Sequence, residues 1–146
     1  MTRMSVTSNP TPSPHTLPVR VYYEDTDAGG VVYYARYLAF AERARTEFLR
    51  QLTGRQDAMW TDSDPLFVVR HLEADYKTSG RLDDLLTVTT TLVKIGGASL
   101  DMLQLITRGE ETLVAIKLTL VTVTHDGKVL RLPPEWRQKL ETCANT

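Results

Sequence analysis

Residues 33–52, YYARYLAFAERARTEFLRQL, repeat apolar side chains at spacings of three and four through Tyr34, Tyr37, Leu38, Ala41, Ala44, Phe48, Leu49 and Leu52. Arg36, Glu42, Arg43, Glu47 and Arg50 fall largely on other sides of the turn. This period predicts an amphipathic helix of roughly five turns, ~28 Å long. Ala39, Ala41 and Ala44 would let another element approach its axis closely. Upstream, residues 17–24 alternate imperfectly and carry Val and Tyr, which predicts a strand. Downstream, residues 54–65 hold Gly54, Asp57, Trp60, Asp62, Asp64 and Pro65 and read as a loop. Beyond Leu66 the texture is β. Residues 66–77 alternate, with Val68, Leu72, Ala74 and Tyr76 mostly on one side, and residues 85–93, 100–107 and 112–124 follow as further strands. Asp126-Gly127 is a strong hairpin signal, and Pro133-Pro134 opens a short terminal helix. One strand, a long helix and then a run of strands predict an α+β fold: a curved antiparallel sheet of five or six strands wrapped around a central helix.

The chain has 146 residues, 42% hydrophobic and 24% charged, enough for one soluble domain with a sizeable core. Seventeen Lys plus Arg against eighteen Asp plus Glu leave a net charge of −1, which offers no electrostatic case for nucleic acid or an anionic membrane surface. No apolar run approaches the ~18 residues of a membrane span, so no membrane insertion is expected. The N-terminus lacks the layout of a signal peptide. The single Cys143 cannot close an intrachain disulfide, and a cytoplasmic location is expected. Residues 1–16 are rich in Ser, Thr and Pro and read as a disordered tail, within which Met4 is an alternative start. The domain is expected over 17–142.

Five of the six tyrosines lie between Tyr22 and Tyr37, together with Asp25, Asp27, Gly29 and Gly30. Glycine lets backbone approach a ligand, and the first N–H groups of a helix have no intrahelical partners. A carboxylate beside such donors suits acyl transfer or hydrolysis. The N–H groups would stabilise the oxyanion, a contribution of ~3–4 kcal/mol per donor, while Asp27 acts as nucleophile or activates water. The same Asp-x-Asp-x-Gly-Gly pattern is equally an ordinary turn whose carboxylates cap loop amides, and the residues alone leave both readings open. A calcium loop is rejected, because its twelfth position, a bidentate Glu, would here be Arg36.

The motif VYYEDTDAGGVVYYARY (residues 21–37), followed by FAERART (residues 40–46), resembles the hotdog-fold acyl-CoA thioesterases. The likeness is to the Tol–Pal-associated, YbgC-type branch, with 4-hydroxybenzoyl-CoA thioesterase more distant. It extends over residues 19–134, including Gly80-Arg-Leu-Asp-Asp84. The resemblance implies the hotdog fold and hydrolysis of acyl-CoA without metal or redox cofactor. It implies Asp27 as the catalytic carboxylate, with the backbone around Gly30 and Tyr34 holding the thioester carbonyl. Tyr23, Val31, Tyr37 and Arg81 are the expected substrate contacts, Arg81 through coenzyme A phosphate. YbgC-type chains often carry His where this chain has Tyr34; the hydroxybenzoyl branch has Tyr. Relatives form homodimers and homotetramers with sites completed by a neighbour, which is expected here too.

Other residues carry weaker signals. Tyr23 and Asp25 flank the turn as positioning groups or as a strand residue and a loop cap. Glu42 with Arg45, and Glu47 with Arg43 and Arg50, read as helix-surface ion pairs, against a catalytic Glu on the helix. Lys77 and Lys94 are further cations for phosphate or solvent. His15, His71 and His125 have no metal-site spacing, and Ser99 lacks the nucleophile elbow. Thioester hydrolysis is thus the expected activity, on coenzyme A or acyl carrier protein. The alternatives are a non-catalytic module binding acyl-CoA, acyl carrier protein or an envelope component, and a hotdog dehydratase, which would need a His near the motif.

Overall fold

The computed structural model describes residues 14–54 and 64–144. Its elements are β1 (His15–Arg20), a 3-10 turn (Tyr23–Asp25), α1 (Arg36–Thr53), β2 (Leu66–Tyr76), β3 (Leu85–Ile95), β4 (Ser99–Arg108), β5 (Glu111–Val123) and α2 (Pro134–Ala144). The strands form one antiparallel sheet in the order β1-β3-β4-β5-β2. This is the expected α+β layout, with five strands.

Several boundaries differ from the sequence reading. His15 and Thr16, placed in a tail, open β1 and pair with Thr90 and Thr89. Backbone groups of β3 at those positions need partners, and the incoming chain supplies them. The rest of the expected tail, residues 1–13, and residues 55–63 of the expected loop lie outside the described residues. The first strand stops at Arg20 and not at Glu24, because residues 23–25 close a 3-10 turn in which the Asp25 N–H donates to the Tyr22 carbonyl at 3.0 Å. The long helix starts at Arg36 and not at Tyr33: Tyr33 still belongs to the preceding hairpin, its N–H donating to the Asp25 carbonyl at 2.9 Å, and residues 33–36 form a turn closed by the Arg36 N–H on the Tyr33 carbonyl. Gly54, left-handed at φ 73°, ends α1, its N–H donating to the Arg50 carbonyl. Asp126-Gly127 does turn the chain, but the returning arm makes one isolated bridge, Val123 with Val129.

Alternation decides which face of the sheet meets α1. β3 hides Leu86, Val88, Thr90 and Leu92, and β4 hides Leu100, Met102, Gln104 and Ile106. α1 meets them with Tyr37, Phe40, Ala41, Ala44, Phe48 and Leu49. Ala41 and Ala44 are fully buried, so the helix lies close against the strands as their small side chains anticipated. Trp136 and Leu140 of α2 close one end of the same core, Trp136 against Phe67 at 5.4 Å between rings.

A polar cluster is set inside this apolar layer. Gln104 donates from Nε2 to the Ala41 carbonyl and to Thr90 Oγ1, both at 2.9 Å, and its Oε1 accepts from Arg45 at 2.9 Å. Arg45 is therefore not a surface partner of Glu42; it turns inward and is buried. Burial pulls its guanidinium below the ordinary arginine value, with Glu42 opposing. Gln104→Ala leaves this charge and the Thr90 hydroxyl buried without their partner. It is expected to cost about 2–4 kcal/mol of stability in urea unfolding. Arg45→Met combined with Gln104→Leu removes the charge together with its partner and should fall closer to wild type.

Candidate active site

The segment joining the first strand to α1 folds as a small irregular hairpin. Thr26 bridges Val32, the Asp27 N–H donates to the Val31 carbonyl at 2.9 Å, and the Tyr33 N–H donates to the Asp25 carbonyl at 2.9 Å. At its tip the Gly30 N–H donates to the Asp27 carbonyl at 3.1 Å, and the Gly29 N–H to Asp27 Oδ1 at 2.8 Å. Gly30 has φ 80°, which a residue with Cβ adopts only with strain, and its open side faces no atom within 4 Å. The tip therefore exposes Asp27 with one carboxylate oxygen tied to its own turn. The other makes no hydrogen bond among the described residues.

The second arm of the hairpin docks on the loop between β2 and β3. The Val32 N–H donates to the Gly80 carbonyl at 2.9 Å, the Leu82 N–H donates to the Gly30 carbonyl at 3.3 Å, and Val31 bridges Arg81. Gly80 is packed so closely that an added Cβ would lie 3.3 Å from Val32 and 3.4 Å from Leu113. Its N–H donates to the Tyr37 hydroxyl at 2.8 Å. Tyr37 is only 3% exposed, so its side chain holds this loop from inside the core. Burial raises its hydroxyl pKa, while the Gly80 hydrogen bond and Arg108 act in the other direction.

The remaining expected site residues lie on the surface around the tip. Tyr23 is 82% exposed and Tyr34 is 61% exposed, Val31 is half-buried, and Arg81 is exposed. The backbone N–H groups of Val31 and Tyr34 make no hydrogen bond among the described residues. That of Gly30 is taken by Asp27, so Gly30 contributes conformation. Tyr34 begins the turn leading into α1, where the Arg36 N–H donates to the Tyr33 carbonyl at 2.8 Å. Among the described residues, clefts of about 750, 420 and 530 Å³ open on the surface, and neither Asp27 nor Tyr34 lines any of these. Glu47 is paired with Arg50 at 3.5 Å, as its spacing suggested. Among the described residues no group of three His, Cys, Asp or Glu is placed to hold a metal ion.

Two features escaped the sequence reading. Tyr76, at the end of β2, meets the Tyr34 ring edge-on at 6.1 Å and the Tyr37 ring at a tilt at 5.9 Å, extending the aromatic run of Tyr33 and Tyr34. Its strand alternation placed it on the apolar side with Leu72 and Ala74, which gave no hint of this neighbourhood. Desolvation raises its hydroxyl pKa, helped by Tyr34 and Tyr37. Asp84 is the second: it accepts from the Arg81 N–H at 2.8 Å and from Arg108 at 2.6 Å, and Arg108 also reaches Glu111 at 2.7 Å. The Asp84–Arg108 contact joins residues 24 apart, beyond what local spacing can show.

With this geometry in place, comparison with known proteins is decisive. The family model of the thioesterase superfamily matches residues 29–115, more than half the chain. The chain belongs to the thioesterase superfamily. Within it, several of the most similar relatives are YbgC thioesterases. The acyl-CoA thioesterase YbgC of Haemophilus influenzae is 50% identical over 115 residues, covering 78% of this chain and 83% of that protein. The long-chain acyl-CoA thioesterase FadM of Escherichia coli is 36% identical, covering 73% and 82%. A probable thioesterase from Bartonella henselae superimposes with a TM-score of 0.77 at 41% identity, covering 83% of this chain and all of that one. The thioesterase fold assigns the parts described above: the sheet is the bun of the hotdog, and α1 is its filling.

The loop that docks the superfamily's hairpin has a pH signature. Burial alone would raise the Asp84 pKa, but the Arg81 N–H and the Arg108 guanidinium outweigh it and hold the carboxyl below its ordinary value. A depressed folded-state pKa stabilises above the unfolded value and loses that stabilisation as pH falls through the folded one. The stability gap between wild type and Asp84→Asn should therefore be constant above about pH 5 and close below about pH 4. Urea unfolding across that range measures it.

Proposed function

We propose that this thioesterase hydrolyses acyl-CoA to the free acid and coenzyme A, with Asp27 supplying the reactive carboxylate and the Tyr34 backbone N–H holding the thioester oxygen. The observation that carries this reading is a donor without a partner: the Tyr34 N–H, at the foot of α1, lies on the same hairpin as a carboxylate with one free oxygen. Attack on the thioester carbon, by Asp27 itself or by water it deprotonates, puts negative charge on the carbonyl oxygen. An N–H fixed in the turn stabilises that charge at no cost in reorganisation, and the macrodipole of α1 adds to it. Collapse of the adduct expels the coenzyme A thiolate, and water supplies the second oxygen of the acid.

The exposed Tyr23, the half-buried Val31 and Arg81, its β-bridge partner, are the proposed contacts to substrate. Arg81 suits phosphate, through paired donors. Tyr37 acts on substrate only through the Gly80–Arg81 backbone that it supports. An acyl carrier protein would present the same thioester and belongs to the same proposal, as does a cytoplasmic location.

The site as described is a surface and not a cavity, whereas thioester hydrolysis needs its polar groups shielded from bulk water. A homodimer or homotetramer would supply the missing wall. Support comes from β2, which ends the sheet with one side of its backbone unpaired and exposes Val68 and Val69, each 44% accessible.

Free-thiol release from acetyl-, butyryl-, palmitoyl- and benzoyl-CoA tests the mechanism. Asp27→Asn is expected to lose at least ~100-fold in kcat. Tyr34→Ala keeps the backbone N–H and should stay within ~10-fold of wild type, whereas Tyr34→Pro deletes the donor and should lose ~100- to 1000-fold. Proline suits this position, the second of a turn, so the loss reports the N–H and not a broken fold. Equal rates for the Ala and Pro variants would sink the assignment of the oxyanion donor.

A further inference from the structure

Arg36 is the first residue of α1, where a cation is unfavourable to the helix dipole. It does not extend into solvent. Its Nε and a terminal nitrogen both reach Asp25 Oδ1, at 2.9 and 2.7 Å, and the guanidinium lies over the Phe40 ring at 5.9 Å. Asp25 is correspondingly unusual. Its side chain is 6% exposed, and its second oxygen accepts from the Tyr22 N–H at 2.9 Å. Its backbone carbonyl accepts from the Tyr33 N–H at 2.9 Å.

We infer that Asp25 and Arg36 are a positioning pair that sets the separation of the reactive carboxylate from the oxyanion donor. Asp25 stands two residues before Asp27 on one arm of the hairpin. Its carbonyl holds Tyr33, the residue before Tyr34, on the other arm, and its carboxylate is clamped to the first turn of α1. Both reacting groups are thus referred to one residue, and Arg36 locks that residue to the helix. Neither Asp25 nor Arg36 is assigned a contact with substrate. The inference rests on the roles proposed above for Asp27 and Tyr34.

Steady-state kinetics on whichever of the four acyl-CoAs the wild type hydrolyses fastest provides the test. Arg36→Gln should lower kcat by ~10- to 100-fold, the scale of a small misplacement of reacting groups, with KM within ~3-fold. Arg36→Lys keeps the charge but not the two-nitrogen contact, and should recover part of the loss. Adding Asp25→Asn to Arg36→Gln should cost little more, because the two residues act as one unit. Wild-type kcat in Arg36→Gln, a loss confined to KM, or no advantage of Lys over Gln would each overturn the inference. If Arg36→Gln does not fold, Arg36→Lys decides alone: reduced kcat at constant KM supports positioning, and unchanged kcat refutes it. Asp27→Asn is run in parallel. Should it retain wild-type turnover, the reading of Asp27 falls and the positioning role with it. An inactive Asp27→Asn beside an unimpaired Arg36→Gln removes the positioning role alone.

Discussion

Gln104 joins the central helix to the sheet by directed bonds in a layer that is otherwise apolar. Hydrophobic contact between α1 and the strands is non-directional and would tolerate some sliding of the helix along its axis. A side-chain amide bonded at once to the Ala41 carbonyl, Thr90 and Arg45 does not. Displacing α1 by one residue would leave buried donors and acceptors without partners, each at a cost of about 1–3 kcal/mol. The register of the helix is thereby set, and with it the place at which α1 starts.

That starting point matters because the residues proposed to react are held relative to it. The hairpin carrying Asp27 has few apolar contacts of its own at its tip and relies on hydrogen bonds at its base. Asp25 ties it to α1, and Gly80 and Leu82 tie it to the loop before β3. Tyr37 spans the two supports, since it belongs to α1 and its hydroxyl accepts from Gly80. An exposed tip on a hydrogen-bonded base is how loops commonly carry function on a fixed scaffold.

Much of this was legible in the residues. The three-four spacing of residues 33–52 and the strand runs beyond Leu66 identified a helix and a sheet correctly, because burial of one face dominates both. The cluster at 22–37 marked the hairpin on which the site is proposed, and the glycine at 30 signalled the positive φ that was found. What was not legible depends on tertiary partners. Arg45 looked like a surface residue beside Glu42, and only the position of Gln104, on a strand 59 residues away, turns it inward. Arg36 looked like part of a polar helix face, and only the return of Asp25 makes it a clamp. Tyr37 looked like a substrate contact from its place in the motif, yet its angle around α1 aims it into the core. His15 lay in a stretch of tail-like composition that β3 nevertheless recruits.

The strand order has a consequence for how the chain is made. In the order β1-β3-β4-β5-β2, only β3 with β4 and β4 with β5 pair as consecutive strands; β1 waits for β3, and β2 waits for β5. A chain emerging N-terminus first exposes the hairpin carrying Asp27 before residues 80–82 exist to dock it, and exposes the apolar face of α1 before β3 and β4, which cover it together with β1. Pairings this distant carry a loop-closure cost that slows folding relative to local ones. The segment proposed to perform the chemistry is synthesised first and waits for partners made later.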